Sequence, residues 1–159
     1  MTEVNFCVKC DATRFGECVA LVGNIMELGE WNTEKALLLD TKPDTYPIWH
    51  IKLTLPKNAI IEYKYLIITY RTVKGQSGQP ESIPFSLTWE NLGSSYSNRR
   101  LNTFDKKLIY LNDEMNSKVV IEEYVEDKSG VAAAPPPSYQ NGGVSTAAPN
   151  YHPVGSSVQ

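Results

Sequence analysis

The sequence predicts an all-β domain, an antiparallel sandwich or barrel, on three observations. Apolar residues alternate with polar ones at period two in run after run, clusters of Pro, Gly, Asn and Asp separate the runs, and no segment holds a helical stripe beyond a turn or two. Short strands at this spacing build sandwiches and barrels.

The elements follow in order. Residues 4–10 (VNFCVKC) alternate, and residues 17–24 (ECVALVGN) are apolar and β-branched. Asn32 or Thr33 can cap a short helix running to Leu39. In residues 49–56 (WHIKLTLP), Trp49, Ile51, Leu53 and Leu55 take one side, while His50, Lys52 and Thr54 take the other. Residues 60–69 (IIEYKYLIIT), 86–90 (SLTWE) and 118–125 (KVVIEEYV) supply further strands. Residues 71–86, punctuated by Gly75, Gly78 and Pro80, read as an inert loop.

Composition changes after Val125. Residues 126–159 are mostly Ala, Pro, Ser, Gly, Asn and Val with almost no large apolar side chain, too little to offset the entropy of ordering, so a disordered tail is expected after a domain of residues 1–125. The tail contains Pro136, Pro137, Ser138 and Tyr139, a PPxY segment of the kind that WW domains bind as a polyproline helix.

The chain has 159 residues, enough for one domain, and a formal charge of -3, which gives no basic field for nucleic acid or anionic lipid. No apolar run has the length of a signal-peptide core or a membrane span. Three cysteines, Cys7, Cys10 and Cys18, are an odd number that suits reduced thiols, and the expectation is a cytoplasmic protein. Cys7 and Cys10 lack the second pair a structural zinc would take, so no metal is expected. Nor is catalysis: of two histidines, His152 lies in the tail and His50 on the polar side of a strand, no phosphate-binding glycine loop is present, and no two carboxylates are marked as a pair.

Aromatic residues beside turns are what remain. Trp31 stands in LGEWN, Trp89 in LTWEN and Tyr46 in DTYPIW. A tryptophan on a loop either plugs an end of the sandwich or presents a binding surface, and two of them, each followed by Asn or Glu, favour the second.

The succession FGECVALVGNIMELGEWN (15–32), YPIWHIKLTLP (46–56), IEYKYLI (61–67), WE (89–90) and NRRL (98–101) resembles the starch-binding domains, carbohydrate-binding modules of family 20, over nearly all of the predicted domain. The resemblance implies an immunoglobulin-like sandwich of about eight strands with two sites for α-1,4-glucan. It implies a first site in which Trp31 and Trp89 stack on sugar rings while Lys64, Glu90 and Asn98 hydrogen-bond the hydroxyls. For the second site it implies Phe15, where the family more often has Tyr, together with Tyr46, Trp49 and Glu62. The alternation of Trp49 with Ile51, Leu53 and Leu55 leaves a purely packing role open for that ring. The implied partners are starch, glycogen or maltooligosaccharides, with no cofactor. The chemistry is apt: a glucose ring has a face of C–H bonds that can shed water against an indole, and a rim of hydroxyls that needs donors and acceptors.

Overall fold

The computed structural model describes residues 1–94, 97–119 and 122–126. Among the described residues nine strands form two sheets: β1 (Thr2–Lys9), β2 (Glu17–Gly23), β3 (Leu37–Leu38), β4 (Ile48–Leu55), β5 (Ile60–Lys74), β6 (Pro80–Trp89), β7 (Arg99–Asn102), β8 (Lys106–Glu114) and β9 (Glu122–Glu126). One sheet has the order β4-β1-β8-β9; the other runs β3-β2-β5-β6, with β7 also paired to β5.

Period two buries one face of each sheet against the other. Val4, Phe6 and Val8 of β1 meet Val19 and Leu21 of β2, Ile61, Tyr63 and Tyr65 of β5, and Ile109 and Leu111 of β8 in one core. Phe6 and Tyr63 pack edge to face with centroids 5.2 Å apart. The second sheet has an apolar outer face as well: Ala20, Val22, Leu66 and Ile68 are buried there beneath Trp31, Tyr70, Leu87 and Trp89. That second cluster positions the candidate site.

Several expectations need correction. The sheets are antiparallel except at one place: β1, which lies between β4 and β8, runs antiparallel to β4 and parallel to β8. Residues 71–86 are not a loop. β5 and β6 continue as a paired arm to Lys74↔Pro80, with a register shift between Thr69 and Tyr70, so the breakers occupy only the tip, where Gly78 has φ 85°. The helix expected at Asn32 is a single 3-10 turn, Thr33–Lys35, although Asn32 does cap it by accepting from the Glu34 N–H at 2.9 Å. Strands β3, β7 and β8 were not foreseen in the sequence. The last strand is β9, ending at Glu126, one residue past the expected boundary. The remainder of the tail, with Pro136, Pro137 and Tyr139, lies outside the described residues.

Candidate carbohydrate-binding site

The site begins with an unusual turn. After β2 the chain enters a 3-10 segment, Met26–Trp31, anchored by Leu28, which is fully buried in the inner core. Gly29, Glu30 and Trp31 then take φ of 83°, 51° and 64°, three left-handed residues in succession. Only glycine adopts that region freely; Glu30 and Trp31 each store about 1 kcal/mol or more of strain there. A Cβ at Gly29 would also come within 3.1 Å of Lys35. The Asn32 N–H closes the turn on the Gly29 carbonyl at 2.8 Å. As a result the chain doubles back and lays Trp31 on the outer face of β2 and β5, against Ala20, Val22, Leu66 and Ile68.

Trp89 reaches the same place from the other side. It is the last residue of β6 and pairs across to Leu66 on β5. The two indoles, both half-buried, stand with centroids 6.5 Å apart and planes inclined by 51°. Lys64, one outward position before Leu66, brings its Nζ to 5.8 Å from the Trp89 ring centroid. Lys64 is only 2% exposed. Burial lowers its pKa, a shift opposed by the nearby Glu90 carboxylate and reinforced by Arg99. Asn98, 6% exposed, sits with Glu62: its Nδ2 donates to Glu62 Oε1 at 3.2 Å, and its own Oδ1 is buried without a partner among the described residues.

Glu90 is placed differently from the expectation. It turns to the inner side, where both oxygens are taken: Oε2 accepts from the Tyr65 N–H and from Arg99 Nε, each at 2.9 Å, and Oε1 accepts from Arg99 Nη2 at 2.8 Å and the Asn116 N–H at 3.3 Å. A carboxylate with four donors has no lone pair left for a sugar hydroxyl. Glu90 is therefore part of the floor of the site and not of its surface.

The floor is a buried polar cluster. Arg99 Nη2 also donates to the Glu114 carbonyl, and Arg99 Nη1 lies 3.5 Å from Asp113 Oδ1. Tyr63 and Tyr65 both donate their hydroxyls to Asp113 Oδ2, at 2.9 and 2.7 Å. Burial tends to lower the Arg99 pKa, but Glu90 and Asp113 outweigh it and hold the guanidinium firmly charged. Asp113 is pushed up by burial, only partly offset by Arg99 and the two tyrosines. Burial, and then the Asp113 charge, pushes Tyr63 and Tyr65 far above the ordinary range.

The residues assigned to a second site separate into two places and a core. Phe15 is fully exposed and Tyr46 is 43% exposed on a neighbouring loop, linked to Phe15's loop where Thr13 Oγ1 contacts the Tyr46 hydroxyl at 3.5 Å. The two loops thus meet at one end of the sandwich. Trp49 does not join them: it is 6% exposed, packed in the inner core, and its Nε1 donates to the Cys10 carbonyl at 3.3 Å. Glu62 is also elsewhere. Gly16 is bonded to Tyr70, eight residues further along β5 than Glu62, a separation of about 26 Å at the rise of an extended strand. Glu62 instead pairs with Asn98 and is held by two bonds with Asn24: the Glu62 N–H donates to Asn24 Oδ1 and the Glu62 carbonyl accepts from the Asn24 N–H, each at 3.0 Å.

Comparison with known proteins agrees with this architecture. The family profile described as the starch binding domain, carbohydrate-binding module family 20, matches residues 1–107. The chain belongs to this family. The cyclomaltodextrin glucanotransferase of Geobacillus stearothermophilus is 35% identical over 66 residues, covering 40% of this chain and 9% of that protein. The α-amylase of Thermomonospora curvata is 43% identical over 54 residues, 34% of this chain and 9% of that protein. Among solved structures, the Gamma-CGTase of the alkalophilic Bacillus clarkii superposes with a TM-score of 0.54 at 26% identity, over 72% of this chain and 15% of that one. The glucoamylase of Hypocrea jecorina gives 0.53 at 28% identity, over 73% and 17%. The chain thus spans 9–12% of the first curated relatives it matches.

A starch-binding domain is a binding module, not a catalytic one, and the first site has the means for that task. Two inclined apolar faces can take successive sugar rings of a curved chain, with Lys64 against Trp89 and with Lys64 and Asn98 themselves buried, at 2% and 6% exposure. What the sequence missed is Glu62 as the partner of Asn98 and Arg99 as the partner of Glu90. For Arg99 a signal was present: in RRLN, Leu101 marks the inward face, and Arg99 is two residues before it.

Proposed function

We propose that this starch-binding domain holds α-1,4-glucan, whether starch or glycogen, at Trp31 and Trp89, with Lys64 and Asn98 hydrogen-bonding the sugar rim, and so keeps its chain on the polysaccharide. The observation that carries this reading is the paired indoles at 6.5 Å and 51°. An α-1,4-linked chain curves into a helix, whereas a β-1,4-linked chain lies flat, so inclined rings suit the curved polymer. Two stacking contacts of about 1–2 kcal/mol each and a few hydrogen bonds, less the cost of association, correspond to a Kd of roughly 10–100 μM. Phe15 and Tyr46 form a second, weaker contact, and two contacts on one domain give avidity on a polymer.

The test is retention on insoluble starch. The folded protein is expected to bind, to be released by a cyclic maltooligosaccharide, and to lose retention in the double variant Trp31→Ala, Trp89→Ala. A folded double variant that still binds defeats the reading.

Two extensions go with it. The Pro136, Pro137, Tyr139 segment supports an adaptor role, in which a WW-domain protein is brought to a storage-glucan granule in the cytoplasm; three free thiols suit that compartment. Pull-down dependent on Tyr139 tests it. The names of the relatives, glucanotransferase and α-amylase among them, support the alternative that the domain serves a glucan-active enzyme, for which the readout is release of maltose from glycogen.

A further inference from the structure

We propose that Glu90 and Arg99 are positioning residues for glucan binding, acting as a buried clamp that sets the spacing of Trp89, Lys64 and Asn98. This rests on the function proposed above. The argument is one of adjacency. Lys64, Trp89 and Asn98 are each followed in the chain by a member of a single hydrogen-bonded hub: Tyr65, Glu90 and Arg99. Neighbours on an extended chain point to opposite sides. The hub therefore grips, from the inner side, the backbone that carries three sugar-facing side chains on the outer side.

Its geometry suits that task. The Glu90 and Arg99 side chains are wholly inaccessible, and Arg99 meets Glu90 through two parallel bonds, Nε to Oε2 at 2.9 Å and Nη2 to Oε1 at 2.8 Å. The Tyr65 N–H shares Oε2, and the Glu90 N–H returns a bond to the Tyr65 carbonyl at 3.0 Å. A forked ion pair fixes angle as well as distance. Stability alone does not call for it, since apolar residues of similar volume often serve as well as a buried ion pair. The fork instead fastens the Trp89 end of the segment to the Asn98 end, on either side of residues 91–97.

The experiment measures the Kd of β-cyclodextrin by calorimetry, and the melting temperature, for the wild type, Arg99→Lys and Ile109→Val. Lysine keeps the charge and loses the fork; Ile109→Val is a core change that lowers stability at a residue taking no part in the hub's hydrogen bonds. At a temperature where all three are folded, Arg99→Lys is expected to weaken binding by about tenfold and to shift the Trp89 indole N–H resonance, because small misplacements in a site are costly. Ile109→Val is expected to bind as the wild type does. If Arg99→Lys melts lower but keeps the wild-type Kd, the clamp is structural only and the proposal falls. Glu90→Gln is read the same way should Arg99→Lys not fold. Should neither fold, amide exchange decides: β-cyclodextrin is expected to slow exchange of the wild-type Tyr65 N–H several-fold, by reciprocity of the coupling, and an unchanged rate overturns the proposal. Failure of the wild type to bind would instead remove the function on which the inference rests.

Discussion

Trp31 and Trp89 come from segments far apart in the chain and meet at 6.5 Å with their planes inclined by 51°. Neither ring is free to drift. Trp89 is fixed by its strand pairing to Leu66, and Trp31 by a left-handed turn anchored through Leu28. The expected consequence is that each ring contributes separately to binding. Trp89→Ala should weaken β-cyclodextrin binding by roughly tenfold, the equivalent of about 1–2 kcal/mol of stacking. Trp31→Gly tests the other ring, since glycine accepts φ 64° without strain and removes the side chain without leaving a Cβ in the left-handed region. It should bind about tenfold more weakly, and thermal melts should show a loss smaller than that of Trp31→Ala. Calorimetry and melts of the three variants check both statements.

Lys64 gives the site a pH dependence. Burial lowers its pKa, so the ammonium loses its proton somewhat below the ordinary 10.5. A neutral amine is a weaker donor to hydroxyls and a weaker partner for the Trp89 face. Starch retention is therefore expected to fall as pH rises from neutrality through that lowered value. Lys64→Met, which keeps the apolar stem, should bind more weakly at neutral pH and show no such limb. A limb of equal size in the variant would assign the titration to another group.

The sandwich was legible because period two is a direct image of burial, and it failed where the image is distorted. In β8, Ile109 and Leu111 face inward as apolar residues should, but the next inward residue is Asp113, a charge made tolerable only by Arg99, Tyr63 and Tyr65 from other strands. That environment is tertiary and leaves no local mark. Residues 71–86 misled in the opposite sense: Gly75, Gly78 and Pro80 are turn residues, yet they punctuate only the tip of an arm. At the site, the tryptophans could be read from their turn context. Glu90 could not, because its orientation depends on Arg99 across an intervening segment. A motif carries no distances, and about 26 Å of strand separates Glu62 from Phe15's loop.

Trp49 and the exposed pair Phe15 and Tyr46 should respond in opposite ways. Trp49→Ala removes a core ring and a buried hydrogen bond, so it is expected to lower stability by about 3–5 kcal/mol. Phe15→Ala with Tyr46→Ala removes exposed rings and should leave the melting temperature within a degree or two, since surface changes rarely exceed about 0.5 kcal/mol. Its effect should appear in retention on insoluble starch, where avidity counts, and much less in the affinity for a single cyclodextrin. Unchanged retention would show that Phe15 and Tyr46 make no contact with the polymer.

Asp113 ties stability to pH with a definite sign. Its folded pKa is raised above 3.8 because burial outweighs the help of Arg99 and the two tyrosine hydroxyls. The native state therefore holds this proton more tightly than the unfolded chain does, and binds more protons between 3.8 and the raised value. Stability contributed by this group is fully present below 3.8 and is lost as pH rises through the folded value. Asp113→Asn keeps an acceptor for Tyr63 and Tyr65 but cannot ionise. The stability of the wild type relative to this variant, from urea unfolding across that range, should decline with rising pH and then level off. A difference that grows with pH would mean that Arg99 holds Asp113 ionised more strongly than burial opposes it.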